Sequence, residues 1–232
     1  MKTNKFIGIT GSSGMLGGHL LNYYLQKRFN IIATSRTKPK IKNKKLKWKK
    51  LDLSSIKKYN DYNKYFKNVS VIIHAGSAVP YFKSKIKKKD YLNVNVLASK
   101  KLFTFANKNN IHLIFISGAI IYGDAKKKIN ENYKIKNYFK ELNYSSSKKI
   151  VDTFLVNKFK KKNKVTILRP SSIYGKGLKK DKIIIQLIKK TKNGEKIRLA
   201  SPFKKINFIH ANDVANATFL SIVKNRYGIF NL

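Results

Sequence analysis

Tyr144 stands four residues before Lys148 in the stretch NYSSSKKI, residues 143 to 150. On a helix, residues four apart share a face. A free phenol titrates near pH ~10 and is a poor base at neutrality. An adjacent ammonium favours the phenolate and lowers that pKa, which makes such a pair suited to proton transfer. The chain carries 52 lysines and arginines, so the spacing also arises by chance. Its meaning depends on the elements around it.

A second stretch bears on anion binding. TGSSGMLGG (10–18) spaces Gly11, Gly14 and Gly17 as G-x-x-G-x-x-G, after the apolar run KFIGIT and before the helical pattern HLLNYYLQKR. Glycines there permit a tight turn and let the backbone approach a pyrophosphate. The helix amino end adds free N–H groups and partial positive charge. After the second apolar run, ATSRT (33–37) places Ser35 and Arg36 where a dinucleotide's adenosine ribose is read. An acidic residue there would accept the 2′-hydroxyl of NAD, whereas arginine makes charge-assisted bonds to a 2′-phosphate. The reading is therefore NADP, with NAD as the alternative.

These residues need a scaffold. Short apolar runs at 5–10, 30–35, 46–53, 69–77, 111–117, 165–170 and 228–232 read as strands. Helical spacing lies between them, notably at 95–108 and in YSSSKKIVDTFLVNKF before the sixth strand. Strands alternating with helices imply an α/β fold with a doubly wound parallel sheet, the Rossmann arrangement. Residues 1–170 would form the dinucleotide-binding part. Residues 171–232 would form a small C-terminal substrate lobe that returns to a last strand. That lobe shows loops, one helix (KIIIQLIKKTKNG) and little strand signal.

Composition narrows the function classes. Without cysteine there is neither a disulfide framework nor thiolate chemistry. The four histidines have no metal-ligand spacing, so no metal is expected. No apolar run reaches the ~18 residues of a membrane span, and the short apolar run of MKTNKFIGIT is not expected to act as a secretory signal. A cytoplasmic protein is expected. The net charge of +42 could mark a nucleic-acid binder. Only five residues are arginine, however, the lysines are scattered, and no nucleic-acid motif is present. We read solvated lysines that attract anionic ligands, with no specific nucleic-acid partner.

The ordered set TGSSGMLGGHL, LDLSS, VIIHAGS, NVLASKKL, FISGAIIYG, YSSSK, ILRPSSIYGKG and NFIHANDVANA resembles the extended short-chain dehydrogenase/reductase family, in its nucleotide-sugar epimerase/dehydratase branch. The resemblance runs over essentially the whole chain. It implies that Tyr144 exchanges a proton with a sugar hydroxyl or carbonyl while hydride moves to or from nicotinamide, and that Lys148 also holds the nicotinamide ribose. It further implies that Gly11, Ser13, Gly14, Met15, Leu16 and Gly17 cradle the pyrophosphate, with Met15 and Leu16 offering backbone N–H groups. Asp52 and Leu53 would lie at the adenine, and Ala75, Gly76 and Ser77 along the path to nicotinamide. Asn95 would brace the strands beneath, Pro170 and Ser171 would border the nicotinamide, and His210 with Asp213 would anchor the smaller lobe. A nucleotide sugar is the expected substrate and a homodimer, built on the helix before the Tyr–Lys pair and the helix carrying it, the expected assembly.

The chain departs from the family pattern at three points. A serine or threonine usually stands four residues before the tyrosine of the YG element, and here that place is Gly118. Ser117 is one place early and would reach the reacting oxygen only if the strand end bulges or turns, because neighbouring side chains on a strand point oppositely. The acidic pair of dehydratases is replaced by Ala119 and Ile120, which disfavours dehydration. The arginine that grips substrate diphosphate is replaced by Ile206, beside Lys204 and Lys205. The chain also stops where relatives usually continue, so part of the usual substrate lobe would be absent. The resulting expectation is 4-keto reduction or epimerisation of a nucleotide sugar. The alternative is a non-catalytic dinucleotide-binding sensor or scaffold.

Overall fold

The computed structural model describes residues 6–81, 85–123, 128–135, 140–158, 163–198 and 205–232. The seven expected strands form one sheet. They are β1 (Phe6–Thr10), β2 (Ile31–Ser35), β3 (Leu46–Lys50), β4 (Val69–His74), β5 (His112–Ile116), β6 (Val165–Arg169) and β9 (Gly228–Asn231). The order is β3-β2-β1-β4-β5-β6-β9, and every neighbouring pair is parallel. Strand order reverses beside β1, where the chain has gone one way to β2 and β3 and the other way to β4. In such sheets ligands bind outside the carboxyl ends of the strands at that switch point.

Helices cover both faces, which is why the strands read as continuous apolar runs. On one face lie α2 (Asn63–Phe66), α4 (Ala98–Lys108) and α5 (Tyr144–Lys158). Tyr62, Phe66, Leu102, Phe105, Val151 and Leu155 pack there against Ile72, Leu113 and Phe115. On the other face, α1 (Met15–Gln26) and α7 (Ala211–Val223) bring Leu20, Leu21, Tyr24, Val214 and Ile222 onto Ile7, Ile9, Ile73 and Ile114. The period-two alternation along β1 and β5 divides these two sets.

Three features differ from the sequence reading. Helical structure begins at α3 (Lys88–Asp90), before residue 95, and continues through a π-helical stretch, Tyr91–Leu97, into α4. The lysine run 85–89 hid this start, but Asp90 accepts from Lys87 N at 2.8 Å and closes the first turn. Among the described residues beyond 171 there are two helices, α6 (Ile183–Lys192) and α7, where one was expected. The second went unread because its apolar residues alternate with Asn, Asp and Thr; it packs on α1 and feeds β9. A short parallel pair, β7 (Ser172–Tyr174) with β8 (Phe208–His210), was also not expected.

Candidate functional site

At the first crossover the backbone passes so close that side chains are excluded. Gly11 has φ +68°, and a Cβ there would lie 2.6 Å from the Cα of Gly76. A Cβ on Gly17 would lie 2.1 Å from the Gly11 carbonyl oxygen. The loop is thus clamped between α1 and the exit of β4. Gly14 caps α1 with extended backbone and no side-chain bond, and the first turn holds no acidic residue. The N–H groups at Met15 and Leu16 therefore meet no competing carboxylate. Ser13 is exposed on the loop, while Ser12 is buried and bonds Ser35 Oγ at 2.9 Å. These features fit a diphosphate-bearing dinucleotide: the cradle exists because Cβ atoms are missing, and its charge comes from the helix end.

The neighbouring strand ends complete that edge. Arg36 is exposed directly after β2. Asp52 is engaged locally, accepting from Ser54 N at 2.9 Å and Ser54 Oγ at 2.8 Å, and so caps a 3-10 turn. Leu53 is buried, and its Cδ1 would touch a Cβ placed on Gly76 at 2.8 Å. Gly76 N donates to Thr10 Oγ1 at 3.0 Å, and that oxygen lies 2.7 Å from His74 Nδ1. His74 Nε2 is 2.9 Å from Ser99 Oγ. Burial holds His74 down at about 3, so it is neutral and serves as a brace between β4 and α4.

The loop leaving β4 is tied to α5 through Asn95. Its Oδ1 accepts from Ala78 N at 2.7 Å and Ser77 Oγ at 2.9 Å. Its Nδ2 donates to Ser147 Oγ at 2.9 Å and the Ala78 carbonyl at 3.2 Å. Asn95 thus sets the distance between Ala75–Ser77 and the first turn of α5. Pro170 and Ser171 follow β6; the Pro170 carbonyl accepts from Ala119 N at 2.8 Å and Ser171 N donates to the Leu232 carbonyl at 2.9 Å.

α5 begins at Tyr144 for a local reason. Ser146 N donates to Asn143 Oδ1 at 3.0 Å, and Asn143 N donates to Ser146 Oγ at 2.7 Å, a reciprocal cap. Tyr144 is then the first helical residue and Lys148 lies one turn further on the same face. Lys148 is 6% exposed, and its Nζ donates to the Ile116 carbonyl at 2.9 Å, at the end of β5. Burial pushes this ammonium down to about 8, against an opposing pull from Asp152. Tyr144 differs from the expectation. Burial first, and then the nearby Tyr91, push its phenol up to about 12. The Lys148 ammonium donates to a backbone carbonyl rather than to the phenol. Both influences favour the protonated phenol.

Ser117 makes a bond that the sequence reading did not anticipate. Its hydroxyl donates to Asp152 Oδ2 at 2.6 Å, on the side of the strand facing α5. The same carboxylate pairs with Arg169, through Nε at 3.1 Å and Nη2 at 2.5 Å, both residues being buried. Arg169 Nη1 donates to Tyr122 Oη at 2.7 Å. This network joins β5, α5, β6 and the turn at Ala119–Tyr122. Ser117 thereby braces α5 against the strand end, its proton committed to the carboxylate. Sequence reasoning missed Asp152 and Arg169. The available signal was an acid four residues after Lys148 and an arginine closing a buried strand, since charges in such places need each other.

The smaller elements meet α1 at His19. Its Nδ1 lies 2.7 Å from Asn212 Oδ1 and its Nε2 3.1 Å from the Lys176 carbonyl. His210 caps α7, accepting from Asn212 N at 3.3 Å, and packs edge-on to His19 and Tyr174. Asp213 sits in the first turn of α7. Lys205 and Ile206 are described, whereas Lys204 lies outside the described residues. Among the described residues no group of three or more His, Asp or Glu side chains is placed to hold a metal.

Known proteins resemble the chain in architecture and in sequence. The chain is 28% identical over 232 residues to CDP-abequose synthase of Salmonella muenchen, covering 98% of this chain and 73% of that one. Among solved structures, it aligns with the Bordetella bronchiseptica enzyme WbmG in complex with NAD at a TM-score of 0.81, 21% identity, and 100% and 73% coverage. A UDP-N-acetylglucosamine 4-epimerase from Methanobrevibacter ruminantium M1 gives 0.81 at 21% identity, with 99% and 76% coverage. MoeE5 in complex with UDP-glucose and NAD gives 0.77 at 24% identity, with 97% and 75% coverage. The profile of the NAD dependent epimerase/dehydratase family matches residues 7–232. The resemblance read from the ordered motifs is thus borne out: the chain belongs to the NAD dependent epimerase/dehydratase family.

Proposed function

We propose that the chain is an NADP(H)-linked oxidoreductase acting on a nucleotide-activated sugar, by 4-keto reduction or epimerisation, with Tyr144 and Lys148 as its proton-transfer pair. The observation that carries this reading is Tyr144 standing on the first turn of α5, one turn before an inward Lys148 anchored at the end of β5. That strand end shares its edge of the sheet with the glycine cradle. The loop from Gly11 to Gly17 and the amino end of α1 would hold the pyrophosphate, Arg36 a 2′-phosphate, and Lys148 the nicotinamide ribose. The bound nicotinamide supplies hydride exchange with the sugar carbon.

The chain's own groups favour one direction. Reduction of a ketone needs a proton delivered to the developing alkoxide, and a phenol held at about 12 arrives with that proton. The oxidising half of an epimerisation needs the phenolate, which burial opposes. Arg36 favours NADPH, a reductant, and so points the same way. Ala119 and Ile120 offer no acid or base for eliminating water. The relative from Salmonella muenchen is named for making a CDP-sugar, and MoeE5 is seen with UDP-glucose, so cytidine and uridine diphosphate sugars are the first substrates to try.

Residues 171–232 are the proposed substrate lobe with its return to the sheet, α6 and the β7–β8 pair forming the lobe and α7 leading back into β9. A homodimer through the outer faces of α4 and α5, and a cytoplasmic location, belong to the same proposal. Among the described residues no helix is long and apolar enough to cross a membrane. The test is to incubate the protein with NADPH and a panel of nucleotide-linked 4-keto sugars and identify the products. Reduction at C4 is expected; a Tyr144→Phe variant that turns over every accepted sugar unchanged would overturn the assignment.

A further inference from the structure

Gly118 leaves the reacting oxygen with one hydroxyl partner fewer than the family pattern provides. Four hydroxyls around it are engaged elsewhere. Ser117 donates to Asp152, Ser145 to the Ile120 carbonyl at 3.3 Å, and Ser147 to the Tyr144 carbonyl at 2.7 Å. Tyr122 donates to Asn231 Oδ1 at 2.7 Å. None of these protons is free for a substrate.

Tyr91 is different. It opens the π-helical stretch Tyr91–Leu97 and is half-buried. With i→i+5 hydrogen bonding, residues four apart in such a turn stand almost above one another. Tyr91 therefore shares a face with Asn95, and that face meets α5, because Asn95 Nδ2 bonds Ser147 Oγ at 2.9 Å. Tyr144 lies three residues before Ser147, one turn back on α5, as Tyr91 lies one turn back from Asn95. The two tyrosines thus lie at the same level of the contact between the π-helical stretch and α5, which accords with the influence of Tyr91 on the Tyr144 proton. Among the described residues neither phenol oxygen has a hydrogen-bond partner, and no buried side-chain oxygen is left unsatisfied, so neither hydroxyl is sealed away. A lone π-helical insertion that re-aims one side chain is a frequent feature of functional sites.

We propose that Tyr91 is a second catalytic hydroxyl, hydrogen-bonding the sugar oxygen beside Tyr144 in place of the side chain that Gly118 lacks. The proposal rests on the reading of Tyr144 as the proton donor. Tyr91 keeps its proton and takes no part in bond making; it donates a hydrogen bond to the oxygen as negative charge develops there. It also fits the departure from the family pattern, since a hydroxyl one position off on the strand has been turned into a strut.

The test is a rescue. A Cβ at Gly118 would meet Ile120 Cγ2 at 3.7 Å and the Pro170 carbonyl oxygen at 3.8 Å, both ordinary contacts, and the backbone there is extended. Gly118→Ser therefore restores the missing hydroxyl without strain. Four proteins are compared with NADPH and an accepted keto sugar: wild type, Tyr91→Phe, Gly118→Ser and the double variant. Tyr91→Phe should lower kcat by about 100-fold, the usual cost of one donor at a developing oxyanion, with KM little changed. The double variant should regain most of that loss. In Tyr Cζ NMR titrations, Tyr91→Phe should also move the Tyr144 midpoint downward, a readout independent of turnover. An unchanged kcat in Tyr91→Phe, a loss that Gly118→Ser does not rescue, or a fixed Tyr144 midpoint would each overturn the proposal. A wild-type protein that reduces none of the sugars would overturn the underlying reading and this proposal with it. Wild-type turnover that Tyr144→Phe abolishes, alongside an unaffected Tyr91→Phe, would sink this proposal alone.

Discussion

The Ser117 hydroxyl donates to the Asp152 carboxylate at 2.6 Å, and that carboxylate neutralises the buried guanidinium of Arg169. This relationship separates a strut from a catalyst. Removing one bond to a charged group costs about 1.5–3 kcal/mol. Ser117→Ala should therefore lower the denaturation midpoint while leaving kcat within a few-fold of wild type. Asp152→Asn should be worse, because it leaves a buried guanidinium uncompensated, at about 3–5 kcal/mol. Urea titration of both variants, with kcat measured on the folded fraction, checks the ranking. A large kcat loss in Ser117→Ala at unchanged stability would return the hydroxyl to the reaction.

Arg36 is exposed after β2 with no acidic side chain beside it in sequence. Charge-assisted bonds to a 2′-phosphate are worth about 1.5–3 kcal/mol. Arg36→Ala should weaken NADPH binding by roughly 10- to 150-fold and leave NADH nearly unaffected. Fluorescence titration with both cofactors reads this directly. Equal losses for the two would show that Arg36 does not read the phosphate.

Gly17 admits no side chain, since its Cβ would lie 2.1 Å from the Gly11 carbonyl oxygen. That neighbour is backbone and cannot swing away. Gly17→Ala should push α1 off the loop, destabilise the fold and abolish cofactor binding together. Gly18, on the same helix, has open space where its Cβ would go. Gly18→Ala is the control and should bind cofactor normally with slightly raised stability, as expected for replacing a helical glycine.

His74 and His112 are buried and held down at about 3 and about 4. Both are neutral when folded. Between pH ~6.5 and ~4 the unfolded chain takes up protons that the folded chain refuses, so stability falls as pH falls. The slope is about 1.4 kcal/mol per pH unit for each histidine. Only ten residues are Asp or Glu, so carboxylates contribute little above pH ~5. Urea midpoints at pH 7, 6 and 5 should drop progressively. A flat profile would mean that these rings gain protons in the folded state.

The centre of the sheet was legible because its strands are apolar runs bounded by turns and buried on both faces, as Ile7–Ile9 and Leu113–Ile116 show, whereas the edge strands β3 and β9 are only partly buried. The glycine loop was legible because its constraint is local: Gly11 and Gly17 are excluded volumes visible as missing side chains. Helix α7 was not, because its burying stripe of Ala211, Val214, Ala215 and Ile222 is interrupted by polar residues, two of them, Thr218 and Ser221, buried through bonds back to the helix carbonyls. The direction of Ser117 was not legible either, since it is fixed by Asp152, which lies 35 residues away. Nor was the raised pKa of Tyr144, because proximity in sequence to Lys148 says nothing of where the ammonium points.

Tyr144 as proton donor to a nucleotide-linked keto sugar is tested most directly by single-turnover reduction with NADPH, comparing wild type and Tyr144→Phe. Loss of a positioned proton donor costs about 10²- to 10⁴-fold, with cofactor affinity preserved. The account predicts a fall of that size in the rate of NADPH oxidation and an unchanged NADPH dissociation constant. Equal rates in the two proteins would contradict it.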